Sequence, residues 1–560
     1  MTSAHQHPAP ASTYGPPGDS PKLDGWVAVI ARLFANRAFL LLFWCLFTAF
    51  GIALAFGNGI GGDEQQEAMT LDVNVEAVTG LLGGDRQAWN RLESWPDRYY
   101  GIGFHVAALP LQMALTPIYE RVVPVSRHGA FLLAKHVAVF ALFAASCILF
   151  YRLSRLLVDP AASHLFTFLY ATYPYLLGHG SMNVKDAPFM IAWLLCTLIS
   201  LRMSTDIVTT GVLSYRSTLL LLLATGWLVS IRIAGVLILV QYAVTGATAL
   251  AATRKQHPSA IRQAVAPLAT FLLLLPPLVI ASHPVFWTDP MRVFDALSYM
   301  SSHPLILHTR VFGIPVSAQD LPWSYIPLWL AAKLPLLVIP GILLAPVALT
   351  RLSGDRVRFT TLVSLTAAVV LLPAILVLRG AVLYNDLRQL LFLVPLLLLA
   401  GLVSMYHLFP RLTIAGACLT LALFAIDNVR LFPYQYVWLN EAARIVDADR
   451  MFTADYWGTS GREMAAFIRR ARAANRWQCV YASPLQVVQP FLESQSCLAS
   501  AEEIRDDSPR PFVAGVTYGA TGVTFGSPAP PDGCRVALTV TRRLTLAPLP
   551  MTIARVYECR

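Results

Sequence analysis

Long uncharged apolar runs constrain this chain more than any other feature. The first, at 38–56, contains no charged residue and is long enough to cross a bilayer as a helix. Ten later runs predict further spans at about 131–150, 161–178, 188–203, 217–232, 235–252, 264–282, 326–349, 360–378, 389–406 and 411–427. The sequence therefore predicts a polytopic all-α membrane protein with about 11 transmembrane helices.

The composition supports this class. Only 13% of the 560 residues are charged, whereas a soluble domain carries about 25%. The net charge of +10 favours basic cytoplasmic loops facing anionic lipid, so no nucleic-acid partner is expected. Residues 1–24, rich in Pro, Ser and His, predict a disordered cytoplasmic tail. The first apolar run is too long for a cleaved signal peptide and lacks a small-residue cleavage site, so we expect it to remain as an anchor.

The basic residues predict the orientation of the chain in the membrane. If the N-terminus is cytoplasmic, nearly every short inner loop is basic; these loops carry Arg152, Arg155, Arg202, Arg216, Arg254, Lys255, Arg262, Arg351, Arg356 and Arg358. The large loops 58–130 and 283–325 and the C-terminal region 428–560 then lie outside. We expect a multi-pass protein of the plasma (inner) membrane, with a transmembrane domain at 25–427 and an extracytoplasmic C-terminal domain.

The outer segments carry weaker signals. Met69, Val73, Ala77 and Leu81 recur every fourth residue, which predicts an amphipathic helix on the membrane surface. The apolar run 104–115 is too short to span and is interpreted as interfacial or re-entrant.

The C-terminal region 428–560 predicts a small α/β domain. It opens with an aromatic run at 432–440 that suits the headgroup level. Ser460 and Glu463 have the spacing of a capping box, which predicts a helix to about Ala474. Strand-like runs follow at 477–481, 512–518, 535–540 and 551–557.

The eight cysteines divide evenly between two settings. Cys45, Cys147, Cys196 and Cys418 lie in apolar runs and are interpreted as packing residues. The other four, in the polar C-terminal region, predict two disulfides and an oxidising compartment, with three pairings open; they are Cys479, Cys497, Cys534 and Cys559. We favour Cys479–Cys497 and Cys534–Cys559.

Acidic and basic residues at predicted outer turns are the candidate site residues, because charge at the edge of a membrane is costly and tends to be functional. Asp63 and Glu64 form the first acidic pair after the first span; the alternative is an acidic dipeptide in a wet loop. Lys185 and Asp186 occupy a short outer turn, where they alternatively pair with each other and cap the next helix.

Two further candidates are cationic. Arg232 is an isolated cation at a tight turn, which requires a lipid phosphate or a protein carboxylate as its partner. Arg388, with Tyr384 four residues before it, is placed to hold a phosphate in bidentate geometry. The alternative for this stretch is a pair between Asp386 and either Arg388 or Arg379.

No recognisable metal or nucleotide motif is present. His283, His303 and His308 fall in or beside one outer loop, but their spacing matches no zinc motif, so no metal site is predicted. The sequence contains no P-loop, and no GxGxxG motif stands before a helix.

The order of these features resembles the GT-C superfamily of polyprenyl-phosphate-sugar-dependent glycosyltransferases, in particular the protein O-mannosyltransferases and the lipid A aminoarabinose transferases. Asp63 and Glu64 match the Asp-Glu that follows the first span in the mannosyltransferases. Lys185 and Asp186 match the place of a further acidic residue, and the stretches 384–388, 433–440 and 455–458 resemble segments of bacterial members. The β-trefoil insert of the eukaryotic mannosyltransferases is missing, so a protein acceptor does not follow from the resemblance. Asn385 and Gln389 stand where members tend to have Gly and His.

The resemblance implies an inverting glycosyltransferase that moves a sugar from a polyprenyl-phosphate donor to a hydroxyl of an extracytoplasmic glycolipid, glycan or protein. Asp63 would be the base, with Glu64 and Asp186 orienting the acceptor or the base. Arg388, then Arg232, Lys185 and Tyr384, would bind the donor phosphate. A monophosphate donor requires no cofactor, and a divalent metal stays open. The alternatives are a transporter or flippase of a lipid-linked saccharide, which needs a polar path through the spans, and a non-catalytic assembly protein.

Overall fold

The computed structural model describes residues 25–301, 308–473, 480–492, 498–500, 512–516 and 534–559. The predicted tail 1–24, His303, and the favoured cysteine pair Cys479 and Cys497 lie outside these residues.

The described residues up to position 431 fold mainly into helices. In chain order these are α1 (Trp26–Ala35), α2 (Arg37–Gly57), α3 (Glu64–Gly83), α4 (Arg86–Ser94), α5 (Gly103–Val122), α6 (Arg127–Ser154), α7 (Pro160–Thr172), α8 (Pro174–Met182), α9 (Asp186–Thr210), α10 (Tyr215–Ile231), α11 (Ile238–Thr253), α12 (Ala260–Ser282), α13 (Arg292–Ser301), α14 (Tyr325–Lys333), α15 (Val338–Leu343), α16 (Ala345–Leu352), α17 (Arg356–Leu378), α18 (Val394–Leu408) and α19 (Pro410–Leu431). A two-stranded hairpin, β1 (His308–Val311) and β2 (Ile314–Ser317), interrupts them.

Eight helical segments in the described part of the chain are long and apolar enough to cross a membrane. They are α2, α6, α9, α11 with the 3-10 turn before it, α12, α17, α18 with its preceding 3-10 turn, and α19. The other predicted spans fall on shorter pieces: α7 and α8 are interrupted at Tyr173, α10 has 17 residues, and α14–α16 are separate short helices.

The spans differ in how much of their surface the protein covers. The apolar windows of α18 and α9 are 94% and 83% buried, whereas those of α2 and α12 are 22% buried. Since both groups are apolar all round, α9 and α18 form the centre of the bundle and α2 and α12 its lipid-facing rim.

The two ends of the bundle are chemically different. At the end we call upper, Asn58 after α2 donates to Ser181 Oγ in α8 at 3.0 Å, and Arg388 before α18 contacts Asp63. At the lower end, the Tyr406 hydroxyl of α18 donates to Asp159, the residue that caps α7, at 2.5 Å. The basic residues of the predicted inner loops follow or begin helices at this lower end, opposite the acidic pair.

The segment between α2 and α6 folds against the upper end as α3, α4 and α5. The predicted apolar stripe is half correct: Val73 and Ala77 are buried, but Met69 and Leu81 are 40% and 45% exposed. The buried face of α3 instead includes carboxylates and an amide, from Glu64, Glu67 and Asn74. The helix therefore inserts polar groups into the protein.

The C-terminal region contains a five-stranded mixed sheet with strand order β4-β3-β5-β7-β6. Its elements are α20 (Ala448–Met451), α21 (Gly461–Ala473), β3 (Val480–Ser483), α22 (Leu485–Val488), β4 (Leu498–Ser500), β5 (Phe512–Val516), β6 (Cys534–Arg542) and β7 (Met551–Cys559). β3 is parallel to β4 and β5, whereas β5, β7 and β6 are antiparallel. The sequence predicted four of these strands and missed β4.

The cysteine predictions are confirmed in part: Cys147 and Cys196 are buried as packing residues, whereas Cys45 is exposed and Cys418 is partly exposed. Cys45, Cys147, Cys196 and Cys418 are free. Cys534 is disulfide-bonded and lies directly opposite Cys559 in the register of β6 and β7, as the favoured pairing requires.

Side chains at two places in the C-terminal region make contacts that the sequence did not predict. The Ser460 hydroxyl donates to Asp455, and Glu463 accepts from Tyr434 at 2.8 Å, so α21 begins as predicted but these side chains do not form a capping box. The rings of the aromatic run are buried in the protein, since Tyr434, Tyr436 and Trp438 are at most 2% exposed, so they do not contact lipid headgroups directly. Each finds its polar partner inside the protein, and burial requires such a partner.

An ion pair fixes the C-terminal region to α19. Arg444 Nη2 lies 2.6 Å from Asp427 Oδ2, and both side chains are 0% exposed. The same carboxylate accepts from Trp438 Nε1 at 2.9 Å and from the Thr545 amide at 2.8 Å. Asp427 therefore satisfies donors from three separate parts of the C-terminal region.

We expect Asp427→Ala to lower the free energy of unfolding by about 3–5 kcal/mol, because it leaves a guanidinium buried without its partner. Chemical unfolding in detergent measures this loss. The control Glu120→Ala removes an exposed partner of Arg127 and should cost under about 1 kcal/mol. Equal losses for the two variants would contradict this role of Asp427.

Candidate functional site

The candidate site forms where the segment after α2 meets the C-terminal region. The Gly62 amide donates to the Trp457 carbonyl at 2.7 Å. A Cβ on Gly59 would lie 2.0 Å from the Thr459 carbonyl oxygen, so this close backbone approach requires glycine. The contact fixes Asp63, which directly precedes α3, beside residues 457–459.

Asp63 pairs with Arg388 across the upper end of the bundle. Arg388 Nη2 lies 2.9 Å from Asp63 Oδ2. The side chain of Asp63 is 39% exposed and that of Arg388 is 7% exposed, so solvent reaches the carboxylate but hardly reaches the guanidinium. The pair with Asp386 that was the alternative for Arg388 is therefore not formed; its partner is Asp63.

Aromatic rings hold the Arg388 guanidinium. Its Cζ lies 4.9 Å from the ring centre of Tyr384 and 4.8 Å from that of Trp457. The Tyr384 hydroxyl also accepts from Nη2 at 3.4 Å. Two rings within this distance restrain a planar guanidinium and attract its charge.

Glu64, next to Asp63, is buried. Its Oε1 accepts from the Gly61 amide at 2.6 Å and lies 2.9 Å from His136 Nε2 in α6. Its side chain is 2% exposed. Glu64 therefore anchors the turn that presents Asp63.

Lys185 belongs to a buried chain of ionisable groups. Its ammonium group pairs with Glu67 Oε1 and lies 3.4 Å from the ring centre of Tyr100. The other oxygen of Glu67 is 3.1 Å from His105 Nε2, and His105 Nδ1 is 3.1 Å from Lys135 Nζ. Lys185 thus pairs with Glu67 and not with its neighbour Asp186, contrary to one alternative from the sequence.

The ionisable groups of this buried network determine one another's protonation states. Burial alone would raise the pKa of Glu67, but attraction to Lys185 and the contact with His105 outweigh it, and the pKa is well below its usual range. Burial opposes the charge on Lys185, yet Glu67, Tyr100 and Asp63 raise its pKa above the usual lysine value. Burial, then repulsion by Lys135, lowers the pKa of His105. Glu67 and Lys185 are therefore ionised at neutral pH.

Asp186 and Arg232 form a second pair beside the first. Arg232 Nη1 binds Asp186 Oδ1, and Asn183 Nδ2 donates to Asp186 Oδ2 at 3.2 Å. The backbone of Arg232 forms an isolated bridge with Tyr100. Burial raises the pKa of the Tyr100 hydroxyl to about 12, although the positive charges of Lys185 and Arg232 each act to lower it. Tyr100 therefore lies among the cations.

Asp386 has its own buried partners. Its carboxylate lies 3.1 Å from Lys333 Nζ and accepts from the Tyr175 hydroxyl at 2.6 Å. Neither Arg388 nor Arg379 is its partner, so both alternatives for this stretch are wrong. Asn385 and Asp386 have positive φ angles of 57° and 59°, which strains two successive non-glycine residues.

The structure thus brings together all the predicted site residues: Asp63, Glu64, Asp186, Arg388, Arg232, Lys185 and Tyr384. It adds Glu67, Tyr100, His105 and Trp457, which sequence reasoning missed. Glu67 carried a detectable signal, since it lies one turn after Glu64 on a predicted helix. Trp457 lies in the stretch 455–458 that the resemblance singled out, but its contact with Arg388 depends on the fold of the C-terminal region and could not be predicted.

Of the outer-loop histidines, the structure describes the side chain of His283, and His303 lies outside the described residues. Among the described residues no cluster of three or more His, Cys, Asp or Glu side chains is arranged to hold a metal ion. Nδ1 of His283 is bonded to the Val279 carbonyl at 3.1 Å.

No protein-family model matches this chain, and no curated protein matches it.

We expect Glu67→Gln to lower the free energy of unfolding at neutral pH by about 3–5 kcal/mol, because Lys185 would remain buried without its counter-charge. Glu67 has a depressed pKa in the folded protein, so its contribution is fully present above its ordinary pKa of 4.5 and is lost as the pH falls below that value. The advantage of wild type over Glu67→Gln should therefore be constant from about pH 6 to 9 and shrink below about pH 4.5.

Denaturant unfolding in detergent across this pH range measures the difference. Glu76→Gln, which removes an exposed partner of Arg91, is the control and should change stability by under about 1 kcal/mol. If the difference in free energy of unfolding between wild type and Glu67→Gln stayed the same down to pH 3, the charge on Glu67 would not be the cause of that difference.

Proposed function

We propose that this chain is an inverting glycosyltransferase that moves a sugar from a polyprenyl-phosphate donor to a hydroxyl of an extracytoplasmic acceptor. One observation carries the proposal. Of the carboxylates in the cluster, Asp63 is the accessible one, with a side chain 39% exposed against 2% for Glu64, 6% for Glu67 and 4% for Asp186. It also lies 2.9 Å from a guanidinium suited to a phosphate.

The reaction assigns one task to each partner of this pair. The acceptor hydroxyl attacks the anomeric carbon from the face opposite the phosphate, and Asp63 takes its proton. The bond from the anomeric carbon to the phosphate oxygen breaks, and polyprenyl phosphate leaves with the bonding electrons. Arg388 stabilises the negative charge that grows on that phosphate. The step needs no cofactor. A divalent metal would further stabilise the negative charge without changing which bonds form and break.

Arg388 is favoured over the other cations as the direct phosphate ligand. Lys185 and Arg232 are committed to the buried carboxylates Glu67 and Asp186. Within the described part of the chain, Arg388 Nε has no hydrogen-bond partner. A donor phosphate would exchange with Asp63 for the guanidinium, which frees the carboxylate to act as the base.

Glu64 and Asp186 act as positioning residues in this account. Glu64 holds the turn that carries Asp63 through Gly61 and His136. Asp186 holds Arg232, whose positive charge attracts an anionic donor. Both carboxylates are too buried to contact an acceptor from solvent.

The membrane arrangement is part of the proposal. We take α7 with α8, α10, and α14–α16 as three further crossings, which makes eleven with the eight long spans. The positive-inside rule supports an upper end outside and a basic lower end in the cytoplasm of a plasma (inner) membrane. The donor and acceptor then meet at the outer surface. Each of the eight long spans contains an 18-residue window with at most two charged residues, which supports chemistry at one end over a polar transport path.

We expect Asp63→Asn to lower transfer by about 10²–10⁴-fold, because the amide cannot accept the proton. The assay follows release of polyprenyl phosphate from synthetic polyprenyl-phosphate sugars, with envelope fractions supplying acceptors. Asp72→Asn, on an exposed position of the same helix, is the control and should keep full activity. Near-normal transfer by a well-folded Asp63→Asn variant would remove Asp63 from the role of base.

We expect Arg388→Lys to weaken use of the donor by about tenfold or more, because an ammonium retains the charge but loses the planar contact with Tyr384 and Trp457. Measuring KM and kcat separately for the polyprenyl-phosphate sugar distinguishes binding from chemistry. Arg379→Lys, at an exposed position just beyond α17, is the matched control. An unchanged KM and kcat for Arg388→Lys would contradict direct phosphate contact.

A further inference from the structure

The loop between β6 and β7, residues 543–550, lies against the upper end of α19. The Thr545 amide donates to Asp427 Oδ1 at 2.8 Å, and Arg444 Nη1 donates to the Thr545 carbonyl at 2.6 Å. Asp427 is four residues before the end of α19, which places this contact about 6 Å below the end of the helix. The loop therefore reaches down along the side of the helix.

This depth matters because α19 is only slightly longer than a bilayer is thick. Its 22 residues extend about 33 Å, against a hydrocarbon core of about 30 Å. A helix centred on that core extends only about 1–2 Å past each face, so Arg430, one residue before the end of α19, lies near the boundary between headgroups and acyl chains. The Thr545 contact lies a few ångströms inside that boundary. Only 33% of the apolar window of α19 is buried, so lipid covers most of that window.

Large apolar side chains are exposed at this level. Leu546 and Leu549 of the loop are 73% and 59% exposed, Ile445 is 74% exposed, and Val429 of α19 is 71% exposed. In water such a patch would be unfavourable, but here it continues the lipid-facing surface of α19. The sheet region thus contributes its own apolar contact to the bilayer.

Two arginines line a cleft beside these side chains. The cleft has a volume of about 550 Å³ and is lined by Arg430, Arg543, Leu544, Leu546 and Ala547. Within the residues that the structure describes, neither arginine side chain forms a hydrogen bond or ion pair. Two unpaired cations facing one cleft repel each other, and an anion between them would remove that cost.

We propose that this cleft binds the phosphate of an anionic glycerophospholipid from the surrounding leaflet, with Arg430 and Arg543 on the phosphate and the acyl chains along Val429 and Leu546. The exposed leucines and the depth of the cleft favour a lipid over a soluble anion, because apolar side chains stabilise acyl chains but contribute nothing to the binding of inorganic phosphate. The bound lipid would fasten the C-terminal sheet to the bilayer. This site is separate from Asp63 and Arg388, and it does not rest on the proposed transfer reaction.

The test titrates purified full-length protein in detergent with dioctanoyl phosphatidylglycerol and follows the thermal unfolding midpoint. An arginine near an anionic lipid contributes about fivefold in affinity, so Arg430→Gln with Arg543→Gln should raise the apparent Kd by roughly 30-fold. The matched control is Arg379→Gln with Arg470→Gln, which removes two exposed arginines without described side-chain partners elsewhere on the protein, and it should titrate like wild type.

Two further experiments distinguish a lipid from a soluble anion as the ligand of this cleft. Inorganic phosphate at the same concentrations should produce no shift in wild type. Leu546→Asn with Leu549→Ser should weaken lipid binding while both arginines remain; Asn tolerates the positive φ of 65° at position 546. Unchanged affinity in the double-arginine variant would overturn the proposal. Inorganic phosphate matching the lipid would also overturn it, in favour of a soluble-anion site.

Discussion

The pairing of charges at the upper end of an apolar bundle is the constraint on which this structure depends. The contact between Asp63 and Arg388 joins residues 325 positions apart in the chain. Similar pairs connect Lys185 with Glu67, Arg232 with Asp186, and Lys333 with Asp386. A charge near lipid is costly unless it is paired, so each pair fixes the relative position of two elements. Of these four pairs, only the first combines this structural role with a carboxylate that solvent reaches, and for that reason it is the one to which we assign the chemistry.

The C-terminal region completes this cluster. Trp457 supplies one of the rings over Arg388, and its carbonyl accepts from Gly62 in the turn before Asp63. Asp427 and Arg444 hold the region to α19 from below, and the loop at Thr545 shares that carboxylate. Substitutions that loosen this region would therefore alter the Asp63–Arg388 geometry without touching either residue.

The sequence predicted individual charged residues better than their partners. Apolar runs mark the eight long spans because length and hydropathy are local properties. Asp63 and Arg388 could be selected because charge at a membrane edge is rare. Their partners could not, since pairing depends on which helix ends meet in three dimensions. Lys185 and Asp186 illustrate this: neighbours in sequence, they point to Glu67 and Arg232 respectively. The aromatic residues 432–438 were misplaced for the same reason, because composition does not tell a buried contact from an interfacial one.

Strain in the segment before Arg388 indicates how the proposed phosphate site is held ready. Asn385 and Asp386 both adopt positive φ, at a cost of about 1–3 kcal/mol each. Lys333 and Tyr175 hold the Asp386 side chain, and Tyr325 donates to its carbonyl at 3.0 Å. These bonds fix the backbone on either side of Asp386, so Tyr384 and Arg388 are positioned before any donor arrives. Binding would then require only that a phosphate replace Asp63 on the guanidinium, and a site formed in advance binds with a smaller loss of conformational entropy.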